Sequence, residues 1–404
     1  MNTNSELEFV QKVLNFTNLC KLDEKGTYSS VPNGSVTLYG TCYGLLTQSY
    51  LKADISIHSE TLEFILKCQD MTSGLFIGPE LQEWTPLPTA THDRTHLLMH
   101  LTCAVLPVLA QYEQKPRFPL FFAHQFCDLT YLTTWLNQRS WRDAWLEGNN
   151  LLFVGQLLVF LRDIEENKQA QLALDFYFDW LDSQVDPQTG LWGTNGYCSP
   201  FVAMCGGYHQ LLVYYYEHRP VLRIEQLIDT VLALQHIDGG FSPKGSGACE
   251  DADAVDILVN MYKMSSYRRA DIRFALRRTL NHLLSLQNSD GGFPYRKSSA
   301  YIHMGIPATA SDPGESSIFA TWFRVHTIAL IAEILTDDPL LRNISFHFNS
   351  TLSMGWHPKW DHEQHMLGRN DYLQERLVST QFLSRWVKNR GYLLGRKVKQ
   401  MIRR

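Results

Sequence analysis

The chain lacks the motifs that mark the common enzyme classes. It has no phosphate-binding Gly-x-x-x-x-Gly-Lys loop, no Gly-x-Gly-x-x-Gly dinucleotide turn and no Gly-x-Ser-x-Gly elbow. Among enzymes this leaves acid–base chemistry, carbocation chemistry or metal-assisted transfer. Eight cysteines are scattered with no Cys-x-x-Cys pair, which argues against a zinc ribbon. The start, MNTNSELEFVQK, carries acids and no apolar core, so no signal peptide is expected. Reduced thiols and a cytoplasmic location follow as expectations, and the sequon at Asn349 then means little. No apolar run reaches the ~20 residues of a membrane span. No stretch alternates as a half-buried strand does.

Charge is modest but uneven. A formal net charge of −5 gives no nucleic-acid footprint. Residues 385–404 carry eight Lys or Arg and no acid, which leaves −13 for the rest. This tail, with Trp386 and Tyr392, reads as a packed or solvated helix, or as a contact to an anionic membrane surface.

Four segments do repeat: LKCQDMTSGLF, LDSQVDPQTGLW, LALQHIDGGF and LSLQNSDGGF. Each runs from apolar residues through Gln and Asp to a Gly-led turn and a large apolar residue. The glutamines are Gln69, Gln184, Gln235 and Gln287, spaced 115, 51 and 52 apart. About 50 residues make room for two helices and two turns. Helices beginning near Tyr39, Cys198, Asp251 and Ser316 are expected to form one concentric set. The region 93–150 is expected to hold a further pair without the turn signature. The expected fold is all-α: one α/α toroid of about five to six helix pairs over 1–384 with a basic tail over 385–404. Gly240 and Gly292 are expected to need backbone freedom in their turns. The long loop from Tyr295 to Glu315 is expected to be functional.

The segments LQHIDGGFSPKGSGACEDADAVDIL and LQNSDGGFPYR resemble the repeat of the terpenoid cyclase and protein prenyltransferase superfamily. The resemblance implies an α/α toroid, a fold also used by carbohydrate-active enzymes. In prenyltransferases a zinc-binding Asp and Cys follow a Gly-Gly-Phe turn by about ten residues; here Cys249, Glu250, Asp251 and Asp253 stand there. Phe323-Arg324-Val325-His326-Thr327 resembles the family's zinc-histidine step, so a divalent metal is implied as possible. Asp251-Ala252-Asp253-Ala254-Val255 is similar to part of the Asp-rich box with which some cyclases protonate an alkene.

Read from the residues alone, Glu250, Asp251, Asp253 and Asp256 put four carboxyls within seven residues of an apolar helix. Desolvation and like charge would hold a carboxyl protonated as a general acid; equally, Asp251 would serve as a helix N-cap. Cys249, Asp253 and Asp256 share one helix face. Asp251 and Asp253 are expected to face a central cavity near His326. Tyr39, Tyr43, Tyr208 and Trp322 are expected to line it, with His209 and Asp256 as further binding groups. In SWRDAWLEGNNLL, Trp145 with Asn149 and its neighbours suits sugar stacking and hydroxyl pairing. Gly206-Gly207 would permit close helix approach. HPKWDHEQH, with His357, His362 and His365, reads as a surface segment without metal. The expected ligand is a small molecule, an isoprenoid first and a glycan as the alternative; a non-catalytic toroid binding a protein partner is the third reading.

Overall fold

A computed structural model of the chain describes residues 3–22, 26–51, 57, 59–82, 84, 93–243, 245–359, 369–384, 386–388, 390–391, 393 and 395. Its helices are α1 (Thr3–Leu19), α2 (Leu38–Tyr50), α3 (Ser59–Lys67), α4 (Pro79–Gln82), α5 (Arg94–Gln111), α6 (Leu129–Asn137) and α7 (Ala144–Asp163). There follow α8 (Gln169–Gln184), α9 (Pro200–Tyr216), α10 (Ile224–Leu234), α11 (Ala248–Met264), α12 (Arg269–Leu284), α13 (Ile318–Ala332) and α14 (Arg369–Thr380). Among the described residues only isolated bridges stand in for sheet.

Six helices form a closed inner ring. α2 packs on α5, α5 on α7, α7 on α9, α9 on α11, α11 on α13, and α13 back on α2. α1, α8, α10 and α12 back them from outside, with α6 beside α8 and α14 against α12. The fold is therefore an α/α toroid. Inner helices are buried nearly all round: every residue of α13 from Ile318 to Ile331 is buried. That is the signature of a helix packed on every face. Contrary to the expectation that no apolar run is of membrane-spanning length, the segment Trp141–Asp163 is long and apolar enough by length and composition, and most of it is buried inside the ring.

The repeated turn has a specific chemistry. The Gln69, Gln235 and Gln287 amides donate to the carbonyls of Gly74, Gly239 and Gly291 at 2.8, 3.1 and 2.9 Å. Asp70, Asp238 and Asp290 accept from the backbone N–H of Ser73, Gly240 and Gly292. Each of these three turns thus satisfies its own polar groups where a helix stops, while Gln184 bonds Trp141 and Ser183 instead. The left-handed residue is Gly74, Gly190, Gly239 or Gly291. This corrects the expectation for Gly240 and Gly292, whose φ is ordinary. Gly292 is instead needed for space, since a Cβ there would meet the Phe16 ring at 2.5 Å. Gly206 does allow close approach: a Cβ on it would lie 2.0 Å from the Ala144 carbonyl oxygen, and one on Gly148 would lie 2.3 Å from the Gly206 carbonyl oxygen.

The two ends of the repeat array meet. Ile318 N–H donates to the Ser30 carbonyl at 2.9 Å, and the Gly291-Gly292 turn sits on α1 at Lys12 and Phe16. Beyond α13 the chain turns back into the ring. His347 N–H bonds the Tyr50 carbonyl at 3.0 Å, and the Tyr50 hydroxyl donates to the Gly355 carbonyl at 2.7 Å. This segment buries His357, contrary to the surface position expected of HPKWDHEQH. His362 and His365 lie outside the described residues, as does most of the basic tail.

Candidate functional site

A cavity of about 470 Å³ opens at the N-terminal ends of the inner helices. Trp145 and Asn149 of α7, Phe201 and His209 of α9, and Phe319 and Phe323 of α13 line its sides. α11 contributes Cys249, Glu250 and Asp253, and α5 contributes His100. The loop from Tyr295 to Gly305 covers it, and Met354 from the inserted C-terminal segment also lines it.

Glu250 and Asp253 stand one turn apart on α11 in opposite surroundings. Glu250 accepts from the Tyr295 hydroxyl at 2.8 Å and forms an ion pair with Arg296. Burial pushes its pKa up, and Arg296 opposes that. Neither oxygen of Asp253 has an N–H or O–H partner; the weak thiol donor of Cys205 lies beside it. Burial first, then the charge of Glu250, holds Asp253 well above the usual carboxylate range. Asp256, one turn deeper, is raised by burial too, with Asn260 opposing.

Asp251 points into the ring wall. It accepts from Phe241 N–H at 2.8 Å, bonds the Ser246 hydroxyl and pairs with Arg324 at 2.5 Å. It is not an N-cap either, since Gly247 holds that place. His326 also lies off the cavity wall. Its Nδ1 is 2.8 Å from the Tyr50 hydroxyl, and its ring stacks on Trp322 at 5.5 Å. Burial lowers its pKa to about 3. The structure therefore brings Glu250, Asp253, Trp145 and His209 together at the cavity, and places Asp251, Asp256 and His326 elsewhere in the ring.

His209 is buried, and its Nδ1 is 2.6 Å from the Cys205 carbonyl. Only a protonated Nδ1 can make that bond, so Nε2 of the neutral ring is left as an acceptor. Burial lowers its pKa to about 4. Tyr39 bonds His100 Nδ1 at 2.8 Å. Tyr43 packs on Trp322 at 5.1 Å, and Tyr208 on His209 at 4.9 Å. Tyr39, Tyr43, Tyr208 and Trp322 thus support the cavity wall from behind it. Glu147 and Asn150 are tied up with Arg139 and with one another, while Asn149 faces the cavity.

Sequence reading missed His100, Met354 and the residues of the covering loop. The loop itself was legible by its length, but Tyr295, Arg296, Tyr301 and His303 within it were not singled out. Tyr295 and Tyr301 stack at 3.5 Å, which fixes the loop over the cavity. Among the described residues no group of three or more His, Cys, Asp or Glu side chains is placed to hold a metal ion.

No family model matches the chain. No curated protein matches it significantly in sequence. Among solved structures it is similar to a polysaccharide lyase, with 14% identity over 82% of this chain and 97% of that one and a TM-score of 0.45.

Proposed function

We propose that this toroid is a carbohydrate-active enzyme whose cavity takes a glycan, with Asp253 and Glu250 as its acid–base pair. The observation that carries the reading is the contrast between the two carboxyls. Asp253 is bare and desolvated, which pushes its pKa up and favours the protonated form. The pKa of Glu250 is raised by burial too, but the Arg296 ion pair and the Tyr295 hydroxyl oppose that and favour its carboxylate. Two carboxyls whose surroundings separate their protonation states supply an acid and a base in one site. Asp253 would protonate the oxygen of a glycosidic bond, and Glu250 would activate water or attack the sugar carbon. Trp145 offers a ring face for a sugar to stack on, and Asn149, His209 and Arg296 offer partners for its hydroxyls.

An isoprenoid would use the Phe319 and Phe323 part of the wall. It would also set hydrocarbon against Asn149, His209 and the Arg296–Glu250 pair, to which it offers no hydrogen bond. The wall therefore suits a sugar better.

The test is a panel of oligosaccharides and polysaccharides, with an isoprenoid diphosphate as the contrasting ligand. Thermal shift and calorimetry report binding, and chromatography reports cleavage. A glycan should raise the melting temperature and be cut by the wild type. Asp253→Asn and Glu250→Gln should bind that glycan without cutting it. Binding of the isoprenoid, with no response to any glycan, would overturn the reading.

A further inference from the structure

Deeper along α11 than Asp253, the inner helices carry further buried polar groups. Asp253, Asp256 and Asn260 follow one another down a single face of α11. Across from them α9 presents Tyr208 and Tyr215, both within reach of an Asp256 charge. All five side chains are buried. The second carboxylate oxygen of Asp256, the amide oxygen of Asn260 and both tyrosine hydroxyls have no hydrogen-bond partner among the described residues. Among the described residues the Asp256 carboxyl has one bond, from the Asn260 amide at 3.2 Å to its other oxygen. Buried polar groups in folded proteins are met by protein or by ordered water. Unmet groups on two facing helices supply the two to four partners that a buried water needs.

We propose that the ring axis beyond Asp253 is a hydrated shaft in which ordered waters bridge Asp253 to Asp256, Asn260, Tyr208 and Tyr215, making Asp256 a positioning residue for the candidate acid. The inference rests on Asp253 being the acid of the proposed reaction only for its functional meaning; the waters themselves are independent of it. The bridge fixes the Asp253 carboxyl from behind while its front faces the cavity. It also explains why an apolar helix tolerates a second buried acid and an asparagine at one-turn and two-turn spacing.

Two measurements decide it. A high-resolution crystal structure of the wild type should show waters within hydrogen-bonding distance of Asp256 Oδ2 and Asn260 Oδ1. Infrared spectroscopy should show a protonated carboxyl band for Asp253, assigned by its loss in Asp253→Asn, that moves in Asp256→Asn. Tyr208→Phe removes one hydroxyl and serves the same purpose where Asp256→Asn fails to fold. A dry axis, or an Asp253 band unmoved in these variants, overturns the proposal. A dry axis together with Asp253-dependent glycan cleavage would sink the shaft and leave the function standing. A hydrated axis with no glycan bound would do the reverse.

Discussion

Arg324 and Asp251 face each other at 2.5 Å with neither side chain exposed to solvent. The pair joins α13 to α11, and the second guanidinium nitrogen reaches the Tyr295 carbonyl at 3.3 Å. It ties together two adjacent helices of the inner ring and the loop that covers the cavity. Removing one partner leaves the other charge buried and alone, which costs on the order of 3–5 kcal/mol. Asp251→Ala and Arg324→Met should each show that loss in urea denaturation. A change under 1 kcal/mol for both would mean the pair holds nothing.

Asp253 gives the opposite result. Its folded pKa lies above the ordinary 3.8, so the folded protein keeps a proton that the unfolded chain releases. Stability contributed at this site is therefore lost as pH rises above about 4, by up to ~1.4 kcal/mol per pH unit. Asp253→Asn removes the titration. Its stability relative to the wild type should rise between pH 4 and pH 7, and the proposed glycan cleavage should be lost. Equal pH slopes for the two proteins would show that Asp253 ionises normally.

The buried histidines act with the other sign. His209 and His326 have folded pKa values of about 4 and about 3, below the ordinary 6.5. The unfolded chain takes up protons below pH 6.5 that the folded ring refuses. Stability present at pH 7 is thus lost as pH falls toward 4. Each histidine contributes up to ~1.4 kcal/mol per pH unit to that slope. His326→Gln should flatten the acid limb of a stability-against-pH curve by one such share, whatever it does to stability at pH 7. A parallel curve would place a proton on His326 in the folded state.

Helix α7 meets α9 through Gly148 and Gly206, with no room for a methyl group on either. Gly148→Ala and Gly206→Ala should each cost about 1–3 kcal/mol through overpacking. Gly391, which has open space around it, gives the control substitution. Denaturation midpoints that match the wild type at all three positions would contradict the packing described.

The ring was legible in the sequence because its turns are chemically repetitive. Gln69, Gln235 and Gln287 make the same bond to a glycine carbonyl, so the pattern records a geometry. The pair expected in 93–150 carries no such turn because a 3-10 stretch, Phe121–Cys127, and the short α6 occupy the outer place. The acids were legible as a cluster but not in their directions. Asp251 and Asp253 lie two apart on a helix, so only one can face a given side. His326 was placed near them by helix order, yet its partner is Tyr50, some 276 residues away, and local pattern cannot give that. His100 escaped notice because it sits in HLLMHLTCAVLPVLAQY, a run that reads as an apolar helix.

The seam where Ile318 bonds Ser30 and the last repeated turn rests on Phe16 has a kinetic meaning. α2 is made early and has one face that nothing covers until α13 exists. The first arc of the ring must wait, its tyrosines exposed, while most of the chain is still to come. Contacts so distant in sequence close slowly, and an open arc with a bare apolar edge invites capture by another copy or by a chaperone. The ring can therefore close only once α13 has been made.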